Sequence, residues 1–516
     1  GCYLPADIFA RFQRLQGNDV LMVSGSDEHG TPVTITADKE QISPQDVVDR
    51  YNTEHTKNMK DFGISFDLFT RTTTKNHTNV VQDIFSTLYE KNHIFEKEVE
   101  SFYCHQCNRF LPDRYIEGTC PHCSNENARG DQCDECGQLL DPVDLVDVRC
   151  KLCGEAPELK KTTHLFFALS HFENRLTNWI RDKNHWKSSV YKFTQNWLKE
   201  GLHDRAITRD MTWGIPVPLD GFEDKRIYVW FDAVIGYLAA SKEWAQKQGD
   251  ADKWKEWWEN TNAKHYYFLA KDNIPFHSII WPSILMGYDE KLQLPYDIPA
   301  NEYLRIGGEQ FSKSKGTGVW VPDIVKEFDV DAVRYYLSMN MPENKDSNWD
   351  WNDFVIKNND ELVGTYGNFI HRVVSFTQNN YGHIPDPGAF DETDNELLQE
   401  IKETVKQVQK SLTQCKFKQG LKQMMSLAKK GNVYFNEKEP WKDVKTDKTH
   451  CATTLYVCLQ LVKALSILFA SYLPFSSQKV WEMIGETGSV HEATWNEAIE
   501  PVKIGFELAR PKPLFK

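Results

Sequence analysis

The chain has 516 residues, 40% hydrophobic and 13% aromatic, enough for several domains with sizeable cores, and this excludes disorder as the default. Its formal net charge of −14 excludes an all-over basic nucleic-acid binder, although a local basic face is compatible with it. No run of 18 uncharged apolar residues occurs and no signal-peptide pattern opens the chain, so neither a membrane span nor export is expected.

In chain order, Ile8, Phe9, Phe12 and Leu15 recur at helical spacing, and Gly17 ends that helix. Val20–Val23 reads as a short buried strand running into Ser24-Gly25-Ser26-Asp27-Glu28-His29-Gly30-Thr31-Pro32. Helix, strand and Gly-rich polar loop make half of a βαβ unit, whose ligands bind beyond the carboxyl ends of the strands. Asp27 stands where such a ligand contact is expected; a turn or cap aspartate is the plainer alternative.

Mixed helix and strand over residues 76–100 lead into a cysteine window. Eight of the 12 cysteines fall there, as Cys104-x-x-Cys107, Cys120-x-x-Cys123, Cys133-x-x-Cys136 and Cys150-x-x-Cys153. Two thiolates so spaced can hold one tetrahedral zinc, and a second pair completes it, so the window predicts two closed structural sites. The spacing leaves open which pairs share a metal. Clustered pairs without an export signal imply a reducing, cytoplasmic compartment. The window is acidic, with Asp131, Asp134, Glu135, Asp141, Asp144 and Asp147, which argues against a zinc-ribbon nucleic-acid module and against DNA as a partner.

Tryptophan-rich helices are expected over residues 178–202, followed by a hydrophobic strand Arg226–Phe231 that leads into Asp232-Ala233-Val234-Ile235-Gly236-Tyr237. A second strand, Tyr266–Ala270, ends in Lys271-Asp272-Asn273 and is followed by His277. Trp230, Tyr237 and His277 can line an apolar pocket with polar tips; ordinary core aromatics would look the same. Phe311-Ser312-Lys313-Ser314-Lys315-Gly316-Thr317-Gly318 is a mobile cationic loop suited to a triphosphate, because a close lysine offsets charge built up as pyrophosphate leaves. From Asn352 apolar residues recur at helical spacing, predicting an all-helical domain. The run Cys458–Leu473, broken by Gln460 and Lys463, reads as a buried helix. Lys406, Lys410, Lys416, Lys418, Lys422, Lys429 and Lys430 form a basic stretch, either a solvated face or an RNA phosphate contact.

These residues resemble a known family, the methionyl-tRNA synthetases, which are class I aminoacyl-tRNA synthetases. The likeness rests on Gly25–Pro32, on Tyr228-Val229-Trp230-Phe231-Asp232-Ala233, on Lys271-Asp272 with His277, and on Phe311–Ser314, which is similar to the family's KMSKS loop. It implies an α/β fold: a Rossmann-type parallel-sheet catalytic domain split by a zinc-knuckle insertion, followed by an all-α anticodon-binding bundle. The implied divisions are 1–74 and 226–302 for the two catalytic halves, 75–225 for the insertion, 303–351 for the KMSKS and stem-contact region, and 352–516 for the bundle. The implied reaction joins L-methionine to tRNA(Met) with ATP and Mg²⁺, through a methionyl-adenylate.

The resemblance also implies roles. Asp27 pairs with the substrate ammonium, and Trp230, Ala233, Tyr237 and His277 enclose the methionine side chain. Ser312, Lys313, Ser314 and Asp272 bind ATP, with Lys313 catalytic. Asn368 and Arg372, one helical turn apart, and Trp441 read the anticodon. In the two-zinc subgroup Cys120, Cys123, Cys133 and Cys136 share one zinc, and Cys104, Cys107, Cys150 and Cys153 the other. The sequence departs from the family pattern in three places. The HIGH motif and first central strand are absent and are expected upstream of Gly1; Gln310 replaces the loop's first lysine; Val234 replaces a proline. With no further module after Lys516, a monomer is expected.

Overall fold

The computed structural model describes residues 1–515 apart from 113–114, 131–132, 134, 136–139, 141 and 311–317. Ser312, Lys313, Ser314 and Cys136 therefore lie outside the described residues. The first helix, Tyr3–Leu15, ends where Gly17 takes a left-handed φ of 79°. Strand Val23–Ser26 follows and pairs in parallel with Leu68–Arg71. This strand lies three residues later than expected, because the Met22 N–H is taken by the Asp67 side chain (2.6 Å) instead of a ladder partner. Gly25 faces Thr70 in register, and a Cβ there would stand 2.7 Å from the Thr70 carbonyl oxygen. Gly25→Ala should therefore cost about 1–3 kcal/mol of unfolding free energy, read by urea denaturation; an unchanged midpoint would refute this close approach.

Two parallel pairs form the other half of the sheet, His265–Tyr266 with Pro295–Asp297 and Leu269–Ala270 with Ala300–Asn301. The single strand expected over Tyr266–Ala270 is thus two, with a register shift at His265/Tyr266. Pro299 sits opposite the gap and has no N–H to continue the ladder. The expected strand Arg226–Phe231 is also corrected. Only Lys225–Ile227 is extended, pairing antiparallel with Thr208–Asp210, and helix Val229–Lys247 begins within the expected strand. Asp232 in that first turn suits a helix N-terminus, and the Phe231 N–H closes a turn on the Tyr228 carbonyl (2.8 Å).

The cysteine window projects from the catalytic body on two long antiparallel strands, Ile94–Cys104 and Glu158–Phe167. It carries its own small core around Leu111, Tyr115 and Ile116. From Trp351 onward the chain is helical apart from loops. Helices Glu392–Thr413, Phe417–Glu437 and Lys448–Phe469 form the bundle. Lys448–Phe469 is long and apolar enough to cross a membrane by composition, yet its most apolar stretch is wholly buried among the other helices. The basic stretch is divided between Glu392–Thr413 and Phe417–Glu437, with Lys416 between them, so it is not one helix face.

One buried cluster ties the halves of the molecule together. Arg334, on helix Val330–Met339, is fully buried. Its Nε donates to the Tyr472 carbonyl, Nη1 to those of Phe62 and Gly63, and Nη2 to Ser471 and the Asp7 carboxylate (2.7 Å).

Candidate active site

A cavity of about 1180 Å³ opens between the two halves of the parallel sheet. One wall is Val20–Gly25 and the other Lys264–Ala270, and Asp27, Trp230, Ala233, Tyr237 and His277 all line it. The five residues named from sequence for the amino-acid pocket therefore share one space. Helix Val229–Lys247 supplies three of them at positions 230, 233 and 237, the i, i+3, i+7 spacing that puts side chains on one face.

The apolar end is built from rings. Trp230 stacks on Phe276 at 4.3 Å with planes 15° apart, and Tyr237 meets Tyr267 edge to face at 4.9 Å. His277 lies in a π-type turn, Phe276–Ile280, a local widening of the helix often found at functional sites. Its Nδ1 lies 2.9 Å from the Asn273 carbonyl and its Nε2 2.8 Å from the Tyr237 hydroxyl. Burial lowers the His277 pKa to about 4, so the ring is neutral near pH 7. Nδ1 then carries the proton toward Asn273, Nε2 accepts from Tyr237, and the phenol oxygen keeps lone pairs toward the cavity.

The polar end is a cluster around Asp27. Burial, then the negative charge of Asp232, raises the Asp27 carboxyl from 3.8 to about 7, against the lowering effects of the His29 charge and its main-chain N–H. His29 Nδ1 lies 2.6 Å from Asp232 Oδ2. Glu28, next to Asp27, is held by Arg71 Nε (2.7 Å) and the Thr73 hydroxyl (2.5 Å), while its carbonyl accepts from Trp213 Nε1 (2.8 Å). An accessible carboxylate at the polar end of an otherwise apolar cleft suits an ammonium group, and the rings suit an unbranched, polarisable side chain.

Asp272 is exposed on a short turn, Lys271–Asn273, close to Tyr303. Beside it, Lys271 Nζ reaches Glu302 (2.6 Å) and Asp346 (3.2 Å), and Arg305 reaches Asp346 (2.5 Å). Strands Leu304–Ile306 and Glu309–Gln310 lead from this cluster to residues 311–317. In the bundle, Arg372 donates to Asn436 Oδ1 (2.8 Å) and lies over the Phe435 ring (4.8 Å). Phe435 is 5.9 Å from Trp441, which is 40% exposed, and Asn368 is exposed one turn from Arg372.

The sulfur atoms of Cys104, Cys107, Cys150 and Cys153 lie within 4.8 Å of one another, as do those of Cys120, Cys123 and Cys133. Observed separations are 3.4 Å for Cys104–Cys153, 3.8 Å for Cys107–Cys150 and 3.6 Å for Cys123–Cys133. Thiolates bound at about 2.3 Å around a tetrahedral ion would stand about 3.8 Å apart. Both groups could hold a metal ion.

Residue-by-residue reading missed His29, Asp232, Tyr267 and Phe276 as members of this site. Asp232 carried a signal, a charge inside the apolar run Val229–Gly236; the two rings carried none.

Comparisons with known proteins identify the family and the fold. A family model described as "tRNA synthetases class I (M)" matches residues 2–374, and one described as "Anticodon binding domain of methionyl tRNA ligase" matches residues 384–516. A methionine--tRNA ligase of Roseiflexus sp. (strain RS-1) is 50% identical over 499 residues, covering 95% of this chain and 84% of that protein. Another, from Chloroflexus aggregans, is 45% identical over 560 residues, covering 100% and 93%. The solved structure of Mycobacterium tuberculosis methionyl-tRNA synthetase in complex with methionyl-adenylate has the same fold. Its TM-score is 0.82 at 24% identity, with 99% of this chain and 95% of that chain covered.

Proposed function

From the premise that the chain belongs to the methionyl-tRNA synthetase family of class I tRNA synthetases, we propose how its residues divide the work. The reaction is that of a methionine--tRNA ligase: L-methionine and ATP give methionyl-adenylate and pyrophosphate, and the methionyl group passes to the 3′ end of tRNA(Met).

The observation that carries the assignment of roles is the single cavity shared by Asp27, Trp230, Ala233, Tyr237 and His277. Asp27 pairs with the methionine ammonium, and the rings of Trp230 and Tyr237, with Ala233 and neutral His277, enclose the thioether. The methionine carboxylate then attacks the α-phosphate of ATP, which brings Mg²⁺ with it. The protein contributes position and charge. Lys313, with Ser312 and Ser314, offsets charge on the leaving pyrophosphate, and Asp272 holds the nucleotide. Unpaired anticodon bases are read by Asn368 and Arg372 and stack on Trp441, whose exposed ring beside Phe435, the ring that Arg372 covers, supports this part. The division at 74/75, 225/226, 302/303 and 351/352 belongs to the same reading.

The sulfur separations fit zinc. Cys104, Cys107, Cys150 and Cys153 would hold one ion, and Cys120, Cys123 and Cys133, completed by Cys136, the other. A closed four-thiolate ion supplies cross-linking and no open coordination position, so these cysteines fold the insertion and take no chemical step.

The test is ATP–pyrophosphate exchange with a panel of amino acids. Exchange should depend on methionine, and Lys313→Ala should cut it by about 10²-fold, the scale for removing one preorganised charge donor. An unchanged rate in the variant would refute the role of Lys313. Exchange driven by another apolar amino acid would refute the pocket.

A further inference from the structure

We propose that Asp232 is a positioning residue of the amino-acid site: it pins the His29 ring, and through His29 it sets the Asp27 carboxylate at a fixed place relative to the thioether pocket. The proposal rests on the reading of Asp27 as the ammonium partner.

Asp232 is fully buried in the first turn of helix Val229–Lys247, between Trp230 and Ala233 in sequence. It does not line the cavity, so it acts on substrate only through another residue. That residue is His29, whose Nδ1 is 2.6 Å away across 203 residues of sequence. His29 stands two residues from Asp27 on the same loop, and its charge and main-chain N–H favour the ionised Asp27 carboxylate. A path therefore runs from the pocket helix, through Asp232 and the His29 ring, to the loop that carries Asp27. The loop has a second anchor, Glu28, but that one runs to Arg71 and Thr73 on the sheet side and to Trp213. Among the hydrogen bonds and ion pairs of the described residues, the His29–Asp232 contact is the one that joins Asp27–Gly30 to the helix carrying Trp230, Ala233 and Tyr237.

This geometry has a chemical consequence. An amino acid must place its ammonium on Asp27 and its side-chain end against the rings at once, so the separation of loop and helix is a ruler for substrate length. Losing the pin leaves both half-sites present and their spacing free. Affinity then falls for ligands that use both halves and holds for those that use one.

Calorimetric titration at pH 8 of the full chain and of Asp232→Asn, His29→Asn and the double variant tests this. The ligands are methionine and 4-methylthiobutanoate, which keeps the thioether and carboxylate but lacks the ammonium. Each single substitution should weaken methionine about 10- to 100-fold and change 4-methylthiobutanoate less than about two-fold. The double variant should be no worse than the more damaged single one, because both break the same path. Near-UV circular dichroism identifies any variant that has lost its fold, and His29→Asn keeps the test open if Asp232→Asn does so. Equal weakening of both ligands, or additive effects of the two substitutions, would overturn the proposal. Asp27→Asn separates the two levels. If it leaves methionine binding intact, the ammonium reading falls and the positioning role with it. If it abolishes binding while Asp232→Asn does not weaken it, only the positioning role falls.

Discussion

Arg334→Met should lower the unfolding free energy by about 3–5 kcal/mol, the scale for removing one partner of a buried ion pair. All five guanidinium N–H groups have acceptors: Asp7 and the carbonyls of Phe62, Gly63, Ser471 and Tyr472. The substitution leaves those carbonyls short of donors and the Asp7 carboxylate short of its main cation. Asp7 also accepts from Arg11 Nε (3.0 Å) and from the Ser65 N–H (2.7 Å) and hydroxyl (2.6 Å), so the loss is large but not total.

Burial alone would raise the Asp7 carboxyl, yet Arg334, Arg11 and Ser65 outweigh it and hold its pKa below the usual range. A depressed folded-state pKa gives stability that is present above the unfolded value near 4 and lost as pH falls through the folded one. Wild-type stability should therefore drop in acid, and this acid-sensitive part should shrink in the variant. Urea denaturation at pH 7 and pH 3 reads both effects. A loss under about 1 kcal/mol at pH 7 would show that the cluster does not tie first helix, sheet and bundle together.

Asp27→Asn should weaken methionine binding by about 10³-fold, and wild-type affinity should fall about tenfold per pH unit below pH 7. The first figure follows from losing one partner of a buried, hydrogen-bonded charge pair, about 4 kcal/mol. The second follows from the raised Asp27 pKa of about 7. Below that pH the ligand-free carboxyl is neutral and must release a proton to meet an ammonium. The groups that set this value are Asp232, His29 and Glu28 around it, together with burial.

The sign for stability is opposite to that of Asp7. A folded-state pKa above the unfolded one gives stability present below about pH 4 and lost as pH rises toward 7. Methionine offsets that loss, so its stabilising thermal shift should grow from pH 5.5 to 7.5. Titration calorimetry at pH 5.5, 6.5 and 7.5 reads the affinity. A flat profile in the wild type would remove Asp27 from the ammonium site.

Local spacing was enough for the parts of this protein whose chemistry lies within a few residues. Cys-x-x-Cys pairs announce sulfur clusters that could hold a metal ion because two thiolates on one turn already form half of a tetrahedron. Apolar residues at helical spacing announce the bundle because one turn decides which face is buried. The single-residue assignments came from resemblance, with the motif residues as its footing. Periodicity failed over Arg226–Phe231, where β-branched and aromatic residues suggest a strand and tertiary contacts start a helix at Val229. It failed again at Tyr266–Ala270, where the partner strand's Pro299 splits the ladder.

Only the tertiary structure decided what meets across long stretches of chain. It brought Cys104 and Cys107 to Cys150 and Cys153. It seated Arg334 on Asp7 and set Asp232 against His29. Each partner alone is an ordinary residue in an ordinary element. The contact exists because packing removes both groups from water, and a buried charge or polar group then has to find its counterpart wherever the fold has carried it.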